Sequence, residues 1–296
     1  MQNITVIGSG TMGNGIAHVC ALYGYNVVLV DIKQKLLDKA METIDKNLSR
    51  QVQKNVISEE QKAKTFQNIS TNILLASGVK DADIVIEAVS ENPEIKEKIY
   101  KELDEVCPPH TILASNTSSI SITQLAAYTQ RPQQVIGMHF MNPVPMMKLV
   151  EVICGYNTSK EVTAKVMQLA KDLNKIPVAV NDYPGFVANR ILMPMINEAI
   201  TTLHEGVAGV EEIDTVMRLG MAHPMGPLRL ADFIGLDVCL SILQVMYQGL
   251  GKFHYAPCPL LVKMVTAGKL GVKSGEGFYN YSDPETPIVS SRFVKC

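Results

Sequence analysis

NITVIGSGTMGNGIAHVCALYGYNVVLVD, residues 3–31, carries the reading of the fold. A β-branched run, Ile4–Ile7, stops at a glycine, and the glycines then follow the spacing Gly8-Ser-Gly10-Thr-Met-Gly13. From Met12 onward the apolar residues Met12, Ile16, Val19, Cys20 and Tyr23 recur at helical spacing. A second strand run, Asn26–Val30, closes on Asp31. Strand, glycine turn, helix, strand and acid is the order of a dinucleotide-binding βαβ unit. The first glycine permits the tight turn and the second lets backbone approach a pyrophosphate. The third lets the helix pack closely on the strand, and the helix start offers free N–H groups to the phosphates. Gly8, Gly10, Thr11, Met12 and Gly13 are therefore candidate cofactor residues. Asp31 is placed to accept from both ribose hydroxyls and to repel a 2′-phosphate, which favours NAD over NADP. Lys33, two residues on, works the other way.

Outward from this unit the alternation continues. A polar amphipathic region over 33–66 reads as helical. DIVIEAV, Asp83–Val89, reads as a buried parallel strand, and 94–106 as a helix. Further strands are expected at Ile112–Ser115, Val135–Phe140, Leu149–Ile153 and Ile176–Val180. After Asp182-Tyr-Pro-Gly185 strand runs give way to helical patterns at 186–204, 211–220, 227–249 and 258–268. The expected fold class is α/β: an N-terminal Rossmann-like, mostly parallel sheet domain over 1–183, then an all-α domain over 184–283. Residues 284–296 show little pattern and are expected to form a tail.

Composition narrows the function classes. Net charge is −2, so nothing draws the chain to nucleic acid or an anionic membrane surface. The cysteines at 20, 107, 154, 239, 258 and 296 form no C-x-x-C pair and no zinc spacing, so no metal site is expected and the usage fits a reducing compartment. No leader pattern and no membrane-length apolar run are seen, so the expected location is cytoplasmic.

In an open α/β sheet, ligands bind beyond the carboxyl ends of the strands. Three such ends carry polar groups: Glu87 to Glu91, Ser115-Asn-Thr-Ser-Ser119, and His139 to Asn142. Ser121-Ile-Thr-Gln124 is a capping-box pattern, which assigns Ser121 to structure and leaves Ser118 and Ser119 for a ligand. Glu91 is either a ligand residue or an exposed helix-start carboxylate. His139 and Glu151 place one titratable group in each of two apolar runs. Either both are satisfied core residues, or they meet as a catalytic pair across the Asn-Pro-Val-Pro turn, with a carboxylate oxygen about 3 Å from a ring nitrogen. Phe186, Asn189, Arg190 and Met193 share one helical face by spacing.

With these stretches in view, the sequence resembles the L-3-hydroxyacyl-CoA dehydrogenases, most of all their bacterial 3-hydroxybutyryl-CoA branch. The matching motifs are GSGTMGNGIA (8–17), ILASNTSSISIT (112–123), VIGMHFMNPVP (135–145), PGFVANRIL (184–192), HPMGPLRLADFIGLD (223–237) and KSGEGFYNY (273–281). The resemblance implies an NAD-dependent enzyme that interconverts a short L-3-hydroxyacyl-CoA and its 3-ketoacyl-CoA. It implies His139 as general acid/base, Glu151 as the carboxylate orienting it, and Ser118 and Asn189 as polar groups at the reacting oxygen. Asn142 matches a position near the nicotinamide and the substrate. Glu91, Lys96 and Lys273 match positions lining the cofactor site. Ser119 and Lys54 are candidate substrate contacts, Lys54 toward the acyl-CoA. A homodimer through the helical domain is also implied. Two positions depart: Met141 stands where the family often has Phe, and Ala222 where close relatives carry Asn. The alternatives are a dehydrogenase of a free hydroxy acid or sugar acid, and a nucleotide-binding protein without turnover, for which a degraded His/Glu/Asn set would be expected.

Overall fold

The structure, a computed structural model, describes residues 1–294. The chain separates into two compact units, Met1–Tyr183 and Pro184–Cys296. The first opens with β1 (Asn3–Ile7), α1 (Thr11–Leu22), β2 (Asn26–Val30), α2 (Gln34–Gln53), α3 (Glu59–Gln67), β3 (Ile69–Asn72) and α4 (Leu75–Val79). It continues with β4 (Ile84–Glu87), α5 (Pro93–Val106), β5 (Ile112–Ser115), α6 (Ile122–Ala127), β6 (Val135–Phe140), β7 (Leu149–Cys154), α7 (Lys160–Asp172) and β8 (Ile176–Asn181). One eight-stranded sheet runs β3-β2-β1-β4-β5-β6-β7-β8. Every pairing is parallel except β6 with β7. β4 and β5 are buried along their whole length, which is why IVIE and ILAS read as unbroken apolar runs with one polar end. The strand order reverses between β1 and β4, the place where a parallel sheet opens a crevice at its carboxyl edge.

One local expectation is corrected here, and one strand is added. The helical region over 33–66 is two helices. Asn55 takes φ 55° after α2, and Ser58 begins α3 with a capping box to Gln61. β3 was not foreseen. Its sequence, ISTN, buries only Ile69, and it is a strand because β2 pairs with it from Val27↔Ile69 to Val30↔Asn72.

The second unit contains α8 (Ala188–His204), α9 (Val210–Thr215) running into a π-helical turn at Val216–Gly220, α10 (Pro227–Ile234), α11 (Leu236–Leu250) and α12 (Pro259–Thr266). The single helix expected over 227–249 is broken: Gly235 takes φ 105°, and α10 and α11 meet at 95°. Phe186 does not share the face of α8. It sits in the turn before the helix with φ 47°, buried to 3% exposure. The expected tail is also corrected in its described part. Ile288–Val289 pairs antiparallel with Tyr279–Asn280, Ser290 is 1% exposed, and the Phe293 ring lies 5.8 Å from that of Phe278.

Two buried carboxylates explain the motifs of this unit. Asp214 accepts from Leu228 N, Arg229 N and the Tyr279 hydroxyl, which satisfies the start of α10. Asp232 accepts from Phe278 N, Tyr279 N and the Tyr281 hydroxyl. A Cβ on Gly277 would lie 1.9 Å from Asp232 Oδ1, so the GFY stretch approaches closely only because position 277 is glycine. Among the described residues, no single helix is long and apolar enough to cross a membrane.

Candidate active site

A cavity of about 780 Å³ opens at the carboxyl ends of β1, β2 and β4. Its walls include the glycine turn (Gly8 to Thr11), Asp31, α2 residues Lys39 and Thr43, Ala88 to Ser90, and the Asn142-Pro-Val-Pro145 turn. The glycines divide their work as the spacing implies. Gly8 takes φ 91°, and a Cβ there would meet Ala88 O at 2.7 Å. A Cβ on Gly13 would sit 1.7 Å from Gly8 O, so this glycine seats α1 on β1. A Cβ on Gly10 would meet nothing within 4 Å, which leaves the backbone open to an approaching phosphate. No side chain caps α1, so its first N–H groups, at Thr11 and Met12, are offered to a ligand. Asp31 Oδ2 accepts from Ser9 N and Ser9 Oγ at 2.7 and 2.6 Å, which fixes the carboxylate at the end of β2. These residues fit a dinucleotide with an unphosphorylated ribose.

His139 and Glu151 occupy directly opposed positions of the antiparallel β6–β7 pair. Their side chains meet, His139 Nδ1 to Glu151 Oε2, at 2.9 Å. Both are buried, at 9% and 2% exposure. The Asn-Pro-Val-Pro turn reverses the chain, and an even register puts both side chains on one sheet face. A carboxylate at Nδ1 can fix the ring tautomer, which leaves Nε2 as the nitrogen available to a ligand. Asn116 ties the serine loop to this pair, since its Oδ1 accepts from Phe140 N at 2.9 Å.

Ser118 donates its backbone N–H and hydroxyl to Glu91 Oε1, at 2.5 and 2.9 Å, and Thr117 donates to the same oxygen. Glu91 is therefore tied to the serine loop and is not a free helix-start carboxylate. Lys96 is only 1% exposed. Its ammonium lies 2.6 Å from Glu87 and 3.4 Å from Glu91, so it holds the two acids in place instead of lining the cavity wall. Glu87, 0% exposed, also accepts from Ser115 Oγ and Val89 N. The sequence shows Glu87 only as a polar group at a strand end, and an acid inside the apolar run DIVIE was the available sign of its buried cation partner. Asn142 lies in the cavity wall, and Ser119 donates its N–H to Thr117 Oγ1. Ser121 accepts from Gln124 N and donates to Asp182, but Gln124 turns to the Tyr128 hydroxyl, so only half of a capping box forms. Lys54 is the exposed C-cap of α2. In the second unit, Asn189 lies in the first turn of α8, and Lys273 pairs with Asp237.

Residues 3–183 match the family model described as 3-hydroxyacyl-CoA dehydrogenase, NAD binding domain, and residues 185–281 match the model for the C-terminal domain of the same enzymes. The chain belongs to the 3-hydroxyacyl-CoA dehydrogenase family. Its first unit is the family's NAD-binding domain, and the glycine turn of that unit forms part of the cavity wall. The chain is 54% identical over 283 residues to a probable 3-hydroxybutyryl-CoA dehydrogenase of Bacillus subtilis, covering 96% of this chain and 98% of that one. It is 43% identical over 289 residues to the human mitochondrial hydroxyacyl-coenzyme A dehydrogenase, covering 95% and 91%. The crystal structure of (S)-3-hydroxybutyryl-CoA dehydrogenase from Ralstonia eutropha superposes with a TM-score of 0.93 at 48% identity, covering 96% of this chain and 100% of that one.

Proposed function

We propose that the chain catalyses NAD-dependent oxidation of a short L-3-hydroxyacyl-CoA, 3-hydroxybutyryl-CoA in particular, to the 3-ketoacyl-CoA, and the reverse reduction. The observation that carries this reading is the buried His139–Glu151 pair. A bound nicotinamide cofactor would supply the hydride acceptor for oxidation as NAD and the hydride donor for reduction as NADH. His139 Nε2 removes the hydroxyl proton in oxidation and gives it back in reduction, while Glu151 balances the imidazolium charge. Ser118 and Asn189 hold the oxygen on which charge builds. Asp31 holds the adenosine ribose, Asn142 borders the nicotinamide, and Glu91, Lys96 and Lys273 belong to the cofactor region. Ser119 contacts the substrate and Lys54 the CoA moiety. The relatives named for 3-hydroxybutyryl-CoA support the acyl assignment over a free hydroxy acid. The protein acts in the cytoplasm as a homodimer joined through its helical unit.

The test is NADH oxidation by acetoacetyl-CoA. His139→Gln is expected to lower kcat by roughly 10²–10⁴-fold with unchanged circular dichroism. A fully active, folded His139→Gln protein would overturn the mechanism. Parental activity on free acetoacetate, equal to that on acetoacetyl-CoA, would overturn the substrate class.

A further inference from the structure

We propose that Lys175 is a positioning residue of the cofactor site: its ammonium holds the Asn142-Pro-Val-Pro turn in the shape that walls the cavity. Lys175 ends the loop between α7 and β8, where a lysine would ordinarily extend into water. Here it is 8% exposed, and its Nζ donates to Val144 O at 2.5 Å and Met147 O at 2.8 Å. The sequence of the turn explains the need. Pro143 and Pro145 have no N–H, so the turn can donate few bonds to its own carbonyls. An outside donor must satisfy them. A compact ammonium with three hydrogens can serve two carbonyls at once.

A second contact fixes the same turn from the opposite side. Val144 packs on Gly15 of α1, where an added Cβ would lie 2.9 Å from Val144 Cβ. Ile176 N, next to Lys175, donates to Lys148 O and ties β8 to the end of the turn. The turn is thus held between the helix that follows the glycine cradle and a buried cation. Burial, with Lys148 adding to it, pushes the Lys175 ammonium below its ordinary pKa, and the two turn carbonyls are the acceptors it meets in place of water. The His139–Glu151 pair has its own support in the β6–β7 ladder. Loss of Lys175 therefore loosens the cavity wall before it disturbs the proton-transfer pair.

This inference rests on reading the cavity as the NAD site. It is tested on the full chain by NADH fluorescence titration and steady-state kinetics of the parent, Lys175→Met and Gly15→Ala. Lys175→Met is expected to raise the NADH Kd and KM about tenfold while kcat at saturating NADH falls by less than about threefold. Gly15→Ala, pushing the same turn from the other side, is expected to shift the NADH Kd in the same direction. A folded Lys175→Met protein with lowered thermal stability but parental NADH Kd would overturn the proposal, because that is the signature of a merely structural lysine. Should Lys175→Met fail to fold, Lys175→Gln, which keeps a donor for one carbonyl only, takes its place: a raised NADH Kd supports the proposal and a parental one overturns it. If the parent itself does not bind NADH, the cofactor reading falls and this inference with it. If the parent binds and the variants bind equally, only this inference falls.

Discussion

At position 222 the backbone takes φ 57°, a left-handed conformation that strains an alanine by about 1 kcal/mol or more. By the resemblance, close relatives carry Asn here, a residue that tolerates that region. Ala222 is exposed, so its side chain can be changed without repacking. Ala222→Asn is therefore expected to stabilise the protein by roughly 0.5–1 kcal/mol. A denaturant titration checks it, and an unchanged or earlier midpoint would show that the backbone strain is relieved in some other way. The departure was legible in the sequence as a missing Asn. Its physical meaning, a backbone angle, was not, because no residue pattern reports φ at an isolated alanine.

At the scale of elements, β4 and α5 are joined by a buried ion pair. Glu87 at the end of β4 and Lys96 one turn into α5 are 0% and 1% exposed, and Glu91 lies between the two elements. Such a pair is weak evidence for stability as a pair, but removing one member strands the other charge. Lys96→Met is expected to destabilise by about 3–5 kcal/mol, and Glu87→Gln in the same chain to recover part of that loss. The measurement is a double-mutant cycle of unfolding free energies, and strict additivity would show that the two side chains do not depend on each other. Because Glu91 also accepts from Ser118, the single variant is further expected to raise the KM for acyl-CoA. Periodicity found the strand and the helix here. The contact between them depends on where two chain segments lie side by side, which sequence spacing does not report.

Across the whole molecule, two buried titratable groups give the units opposite responses to pH. His18 in α1 is 0% exposed, and burial, with Lys175 adding to it and Gln51 opposing, lowers its pKa to about 4. The unfolded chain binds a proton that native His18 refuses, so stability is lost as pH falls from about 6.5 to about 4, by on the order of 3 kcal/mol. Asp232 in the helical unit behaves oppositely. Burial raises its carboxyl to about 6 against the amide bonds that lower it, so stability is lost as pH rises from about 4 to about 6. Relative to the parent, His18→Leu is expected to gain stability as pH falls through its window, and Asp232→Asn as pH rises through the other. Urea unfolding at several pH values checks both, and differences that do not vary with pH would refute the assignments. Neither group is recognisable from sequence: His18 is one polar residue on an apolar helix face, and Asp232 one acid in a helix of mixed character.

The sequence by itself determined the βαβ order, the dinucleotide turn, the change to helices after Asp182 and the placement of His139 and Glu151 in opposed strands. These follow from local rules: strand and helix periodicity, the steric freedom of glycine, and the reversal at Asn-Pro-Val-Pro. Only the tertiary structure decided that ISTN is a strand, that Gly235 divides a helix, that 288–289 folds back as a strand, and that Lys96 and Lys175 are buried donors. Each of these depends on a partner distant in the chain. A short polar segment becomes a strand because β2 pairs with it, and a lysine is buried because two carbonyls distant in the chain accept from its ammonium.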